Sequence, residues 1–389
     1  MKRRFRPTCP LVCLCCAILL ICLSPAGIGE TVLTEQGIDL GTASVHWPAL
    51  AGMEDTEAQS ALNRAIRQAC RAEDYTARVA AVMDADPPLT LTWEGGLSPD
   101  GGLLSCAMLA EGPLESERIR SVWYTVNLDL NTGEPFTLGD LFTDADEAFD
   151  RIGEYLEEEI LPEMSAHLMN CALTPLPDGF RVGPEGLTLY YPFSQLSTLS
   201  DRAGAVTLSW GEIPEDLLNL SEGSICDRLG VMRRLGGDAD ALTETLAGGG
   251  LPGLPCTLGD GMEALVSQYR LLCDPDLYDG GRYIQLEDSR FRQVYLMTDA
   301  LREKGFNGST LNGIRCDRFA LYGLITGRTE RAEALEMLGE PYATVTLDAE
   351  AAEAMRLTEG TSDYYRCGDI RLRLHYDSGD ILASLFLLP

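Results

Sequence analysis

Histidine is almost missing from this chain: His46, His167 and His375 are the three in 389 residues. They lie far apart, with no H-x-x-x-H or H-E-x-x-H spacing, whereas a catalytic zinc site generally draws on two or three histidines or cysteines. Each therefore reads as structural. His46 precedes Trp47 in a leading loop, His167 sits near the end of a helix over 144–168, where a cation complements the dipole, and His375 lies on the polar face of a strand. No C-x-x-C pair, G-x-S-x-G elbow, G-x-G-x-x-G loop or phosphate-binding P-loop occurs. Two stretches with alternating aspartates, "GGDADALTE" and "CDPDLYDGG", lack the Gly and Glu that a calcium loop needs at its sixth and twelfth positions. No cofactor or metal is expected, and no catalytic residue is singled out. Paired carboxylates cannot be picked by spacing from 60 acids, so a wall-acting hydrolase built on them stays open as the alternative.

Positive charge is also scarce, with 30 Lys and Arg against 60 Asp and Glu and a formal charge of −30. Four of the cations stand at the start, in "MKRRFRPTCPLVCLCCAILLICLSPAGIGE". They precede an apolar run from Leu11 to Leu23, and Ser24 and Ala26 form a small-x-small cleavage pattern. Residues 1–26 read as a secretory signal peptide, with an uncleaved anchor as the other reading. No later stretch is apolar enough to span a bilayer, so no transmembrane segment is expected after cleavage. Cleavage removes four cations and no anions, taking the charge to −34. Such a surface repels nucleic acid and anionic membrane and speeds encounter with cationic partners.

Eight cysteines follow the signal. Cys70 continues the Leu62–Ile66 stripe of a helix, and Cys106 alternates with Leu104 and Met108, so both read as buried thiols. Composition is globular, and the length fits two or three domains. Thr56 and Gln59 form a capping box ahead of one long helix through "EAQSALNRAIRQACRAEDYTARVAAVM". "PPLTLTWEGG", "LLSCAMLAEG" and "RIRSVWYTVNLDL" read as antiparallel strands. "NTGE" turns the chain at Gly133, and Thr143 is placed to cap a helix carrying Phe149, Ile152, Leu156 and Ile160 on one face. A hairpin turning at Pro184–Gly186 and a strand at "AVTLSWG" close the domain near residue 218. The class is α+β, a helix-plus-antiparallel-sheet unit.

The string "VNLDLNTGEPFTLGDLF", with "EGLTLYYPFSQL" and "AVTLSWGEIPEDL", resembles a family of extracytoplasmic domains of unknown function. That family includes the outer portion of the RsiV-type lysozyme-sensing anti-sigma factors and the N-terminal part of some peptidoglycan deacetylases. The resemblance covers residues 31–220. Two features depart from it: about ten residues precede the apolar run, too few for an anti-sigma segment, and no deacetylase-type H-x-x-x-H follows. The strand–turn–helix string itself reads as scaffold, with Leu128, Leu130, Leu138 and Phe142 buried.

The second half, 224–389, contains an internal repeat of a helix followed by a β-meander, about 224–300 and 317–389. Asp260 with Glu263 caps the first helix and Thr329 the second, which Gly339 and Pro341 end. Ile370, Leu372, Leu374 and Tyr376 alternate with Arg371, Arg373 and His375, one face apolar and one polar. The pattern resembles tandem β-lactamase-inhibitor-like and SmpA/OmlA-like modules, which are mostly binding or scaffolding units. Residues 233–255 read as a Gly/Pro-rich loop or hinge.

Binding-surface candidates are Trp93, beside "EGG" at a hairpin, and Tyr364 and Tyr365, next to Arg366. Trp123 and Trp210 read as core. The expected protein is an extracytoplasmic, non-enzymatic binding protein of the cell envelope, secreted or held at the outer face of the cytoplasmic membrane. Its expected partner is a basic protein such as lysozyme, or a wall component.

Overall fold

The computed structural model describes residues 31–114, 120–164, 168–198, 202–269, 271, 276–278, 281–286, 288–299 and 305–389. The fold is α+β, and its sheets are antiparallel except for one parallel contact. The first unit opens with a hairpin not anticipated above, β1 (Val32–Leu40) and β2 (Ala43–Ala51). Two helices, α1 (Thr56–Ala69) and α2 (Ala72–Val79), then cross to β3 (Thr90–Leu97), which touches β2 in parallel through Ser44–Thr90 and Val45–Leu91. β4 (Leu103–Glu111) and β5 (Ser121–Asp129) complete a five-stranded sheet in chain order.

The expected single long helix is broken after Cys70, because Arg71 takes a left-handed backbone (φ 55°). Its cap is Asp55, one residue before the expected Thr56, and it accepts from the Glu57 and Ala58 amides at 2.9 Å. Leu62, Ile66 and Cys70 do face the core, with Leu91, Leu104, Cys106 and Met108 of the sheet. Cys70 and Cys106 are free, and burial pushes their thiols up to about 11 and about 12.

The other face of this sheet carries a second sheet. After α3 (Ala145–Tyr155), one wider turn and the short α4 (Leu161–Met164), the chain forms β6 (Leu168–Cys171), β7 (Gly179–Gly183), β8 (Gly186–Tyr190), β9 (Leu196–Thr198) and β10 (Ala205–Ser209). β10, β8 and β7 pair in that order, and β6 pairs with β9. β7 is an edge strand, and side chains of the first sheet satisfy it. Asn127 Nδ2 donates to the Phe180 carbonyl at 2.9 Å, the Val182 amide donates to Ser105 Oγ at 2.8 Å, and Ser105 donates to Asn127 Oδ1 at 2.6 Å. Such buried backbone groups need partners, which explains Asn127 in the strand–turn–helix string. Gly133 turns the chain at φ 77°, Thr137 and Asp140 form a capping box, and Asp144, not Thr143, caps α3. Leu128, Leu130, Leu138 and Phe142 are buried.

The chain then forms α5 (Ile225–Arg228) and α6 (Val231–Leu235), whose Cys226 and Val231 enter the core of α3 and the three-stranded sheet. The stretch 233–255 holds a helix rather than only a loop: α7 (Ala239–Leu246) buries Ala241, Leu242 and Leu246 in the second core. α8 (Met262–Gln268) starts at Gly261; Asp260 instead accepts from Thr257. β11 (Asp276–Tyr278), β12 (Gly281–Ile284), β13 (Val294–Thr298) and β14 (Leu311–Cys316) follow. β15 (Ala320–Leu321) and β16 (Leu324–Ile325) make a small hairpin. α9 (Arg331–Leu338) is capped by Glu330 with Glu333, not by Thr329, whose buried hydroxyl donates to the Gly323 carbonyl. The chain ends on β17 (Ala343–Leu347), α10 (Ala349–Met355), β18 (Gly360–Cys367), β19 (Ile370–Asp377) and β20 (Leu382–Leu388).

These eight longer strands form one sheet, ordered β11-β12-β13-β14-β20-β19-β18-β17. Two four-stranded meanders meet where β14 pairs with β20, so β14, which lies between the two expected repeat spans, completes the first meander. Leu372, Leu374 and Tyr376 face the core shared with α7, α8 and α9. The opposite face is less polar than the alternation implied. His375 is 0% exposed and held by Ser362 and the Thr358 carbonyl, and Leu357 packs near Phe386 there.

Candidate binding groove

A broad concave surface lies over the strand–turn–helix string. Its volume is about 1000 Å³. Phe136, Leu138 and Phe180 form an apolar floor, with Phe149 beside them half-buried. One wall is α3 with the wider turn after it, presenting Asp150, Glu154 and Glu157; the other is the loop 174–178, with Pro175, Leu176, Pro177 and Asp178. The helical repeat explains the first wall, since residues spaced by four and three share one face. Ile152 and Leu156 point to the core on the other side.

The two walls meet at Gly153, where an added Cβ would lie 3.2 Å from Thr174, and Thr174 donates its hydroxyl to Glu157. Asp150, Glu154 and Asp178 are exposed. Among the described residues no basic side chain lines the groove; neighbouring Arg151 turns away to Asp216 at 2.7 Å. An apolar floor under Asp150, Glu154 and Asp178, which have no ion pair among the described residues, suits a segment that carries cationic groups on an apolar or aliphatic stem.

A second charged region lies where the two units meet. The turn 288–293 places Arg290 against Glu94 and Asp288, and Arg292 between Glu212 (2.6 Å) and Glu163 (3.2 Å). Arg318 adds a contact to Glu212 at 3.1 Å, and Tyr155 donates to the same carboxylate at 2.8 Å. Desolvation pushes the Glu212 carboxyl up, but the Arg292 charge and hydrogen bonds more than offset this and hold it below the ordinary 4.5. A cavity of about 80 Å³ beside these groups has room for two or three waters, and the buried Arg292 Nε has no partner in it. This acid-to-arginine arrangement joins the units rather than facing a ligand.

The residues singled out from sequence do not converge. Trp93 is half-buried on β3, its Nε1 donating to Glu35 at 3.0 Å, in a different sheet from Tyr364 and Tyr365 on β18. Glu35 also contacts His46, which is on β2 rather than in a loop; its two ring nitrogens lie 2.8 and 3.0 Å from Glu35 and Asp39. Tyr365 is buried in the second core, whereas Tyr364 is half-buried on the opposite face beside the exposed Tyr342. Trp210 is core and Trp123 packs on Tyr190 with ring centres 4.5 Å apart. "GGDADALTE" runs into α7, and His167 and most of "CDPDLYDGG" lie outside the described residues. Among the described residues no group of His, Cys, Asp or Glu is placed to hold a metal, and no helix is long and apolar enough to cross a membrane. The groove escaped the sequence reading because its two walls are about 20 residues apart and only their packing creates a concavity.

No protein-family model matches the chain, and no curated protein is significantly similar to it. Among the solved structures similar to it are domains of unknown function. A DUF3298 family member from Bacteroides fragilis shows 14% identity and a TM-score of 0.38, covering 54% of this chain and 99% of its own. A DUF3298 family protein from Pseudomonas aeruginosa shows 10% identity and a TM-score of 0.30, covering 50% of this chain and 96% of its own. A DUF4309 family protein, YjgB, from Bacillus subtilis shows 12% identity and a TM-score of 0.25, covering 39% of this chain and 94% of its own.

Proposed function

We propose that this chain is an exported, non-catalytic binding module of the cell envelope, and that the groove between α3 and the 174–178 loop receives a basic partner. The observation that carries the reading is the groove's makeup: an apolar floor, carboxylates on both walls and, among the described residues, no lining cation. The charge of −30 supports it, since opposite fields raise the encounter rate. The basic and apolar leading segment supports export. The resemblance of residues 31–220 to RsiV-type domains supports a partner of the lysozyme kind, and that of 224–389 to β-lactamase-inhibitor-like modules supports a binding role. The buried apolar contacts of the floor would set affinity, and the carboxylates the on-rate.

The test is association of lysozyme, other cationic wall-active proteins and wall fragments across a salt series, with muropeptide release assayed in parallel. Screening acts over about 8 Å at physiological ionic strength, so rising salt should slow association mainly through the on-rate. The triple variant Asp150→Asn/Glu154→Gln/Asp178→Asn should lose at least tenfold in affinity, with unfolding unchanged because all three side chains are exposed. Absence of binding to any cationic partner at low salt, or full binding by the triple variant, would sink the reading. Muropeptide release by the wild type and not by the variant would replace it with a carboxylate-based hydrolase.

A further inference from the structure

The chain has two acids for every base, yet one corner of the second unit's sheet gathers arginines, and among the described residues no Asp or Glu side chain is ion-paired with them. Register sets Arg366 of β18 directly opposite Arg371 of β19, and Tyr364 opposite Arg373 two residues along. Like charges directly opposite each other destabilise a strand pair. Arg366 is exposed, with its guanidinium 5.3 Å from the ring of Tyr342, itself 50% exposed. Arg371 is exposed too, and its Nε donates to the Pro389 main-chain oxygen at 2.5 Å.

Arg373 is only 8% exposed. Its Nε donates to Ser362 Oγ at 3.0 Å, and Nη2 reaches nothing better than Met355 Sδ at 3.8 Å. The rings of Phe386 and Tyr364 lie 4.7 and 5.7 Å from its guanidinium carbon. Burial first, and Arg315 further, disfavour its charge. Arg290 has Asp288, Arg292 has Glu212 and Arg315 has Asp317, whereas Arg234, whose buried Nη1 also has no partner among the described residues, lies over the ring of Tyr322. A buried ion without a counter-ion is costly. In a chain with 60 acids, that cost at a corner where two further arginines stand opposite each other marks a place where the counter-ion comes from outside.

The geometry points to a binding site at Arg366, Arg371 and Arg373, flanked by Tyr342 and Tyr364, for a small ligand carrying two or more oxyanion groups. Guanidinium forks match phosphate and carboxylate oxygens. Directly opposed strand residues stand about 5 Å apart and same-face neighbours along a strand about 6.7 Å, wider than the oxygens of one oxyanion. The ligand is small because the field of the whole chain repels a long polyanion. The tyrosines supply apolar edges for the carbon body that links its charges.

Calorimetry and thermal unfolding of the whole protein at low ionic strength test this with four probes: pyrophosphate, succinate, inorganic phosphate and acetate. A two-headed probe should bind at least tenfold tighter than its one-headed counterpart and raise the unfolding temperature by several degrees. Preference for pyrophosphate assigns phosphate groups and preference for succinate assigns carboxylates. The Arg366→Gln/Arg371→Gln variant, altered only at exposed positions, should bind at least tenfold more weakly. Arg373→Met should abolish binding and, without ligand, unfold at the same temperature as the wild type or higher. Binding that is undetectable, indifferent to the number of charged heads, or unchanged in the double variant overturns the site, as does a ligand-free Arg373→Met less stable than the wild type.

Discussion

Arg292 lies 2.6 Å from Glu212, and this pair fastens the second unit to the first. Both side chains are buried, and Glu212 also accepts from the Ser209 amide at 2.9 Å. Removing Arg292 leaves Glu212 with Arg318 at 3.1 Å, and removing Glu212 leaves Arg292 with Glu163 at 3.2 Å, so each loss costs less than the roughly 3–5 kcal/mol of an uncompensated buried ion. Arg292→Met should therefore destabilise by about 1–3 kcal/mol, and Arg292→Met/Glu212→Gln by less than the sum of the two single changes. A double-mutant cycle in urea decides it; additive single effects would show that the pair is uncoupled.

Acid should weaken the fold in two stages. Burial, with Arg373 adding to it, lowers His375 from 6.5 to about 4, so between those values the unfolded chain binds a proton that the folded chain does not. Stability from this group is full above pH 6.5 and is lost as pH falls toward 4. Glu94 and Glu212 are depressed below 4.5: desolvation raises both, and the facing Arg290 and Arg292 more than reverse it. Their contribution is present above pH 4.5 and disappears as pH drops through the folded values. Unfolding free energies measured from pH 8 to 3 should show a slope above pH 4.5 that flattens in His375→Asn. Equal slopes for the two proteins would remove His375 from the account.

Asn127 borders the groove and should matter more to stability than to binding. Its amide joins Phe180 of β7 to Ser105 of β4, and truncation strands buried donors and acceptors at about 1–3 kcal/mol each. We expect Asn127→Ala to lose about 2–4 kcal/mol in chemical denaturation while association with a basic partner changes far less than in the triple groove variant, at temperatures where Asn127→Ala is folded. Wild-type stability together with lost binding would make Asn127 part of the site.

The two halves should separate better after residue 235 than before residue 224. Cys226 and Val231 fill the core built by α3 and the three-stranded sheet, whereas Ala241, Leu242 and Leu246 fill the core of the long sheet. A fragment 31–235 should resist denaturant better than 31–220, and 238–389 should unfold cooperatively by circular dichroism. An unfolded 238–389 fragment, or equal midpoints for the two N-terminal fragments, would contradict this division.

The sequence by itself determined the elements whose pattern is local. The stripe Ile152, Leu156, Ile160 marked the α3 region, the alternation through 370–376 marked β19, and the buried positions of the strand–turn–helix string were legible because each follows from a 3.6- or 2-residue period. Caps slipped by one residue because Asp55 and Asp144 stand beside Thr56 and Thr143, and either type can accept the first free amides. β1 left no mark because almost every residue of it is exposed, so it has no alternation to read. Tertiary structure alone decided the rest. Alternation says that a strand has two faces but not what covers each, so only packing shows that His375 is buried and that Asn127 lies between two sheets. The groove joins walls distant in the chain, and register sets Arg366 opposite Arg371. Both depend on long-range contacts, and it is these contacts, rather than local propensity, that place charges near one another and leave some without partners.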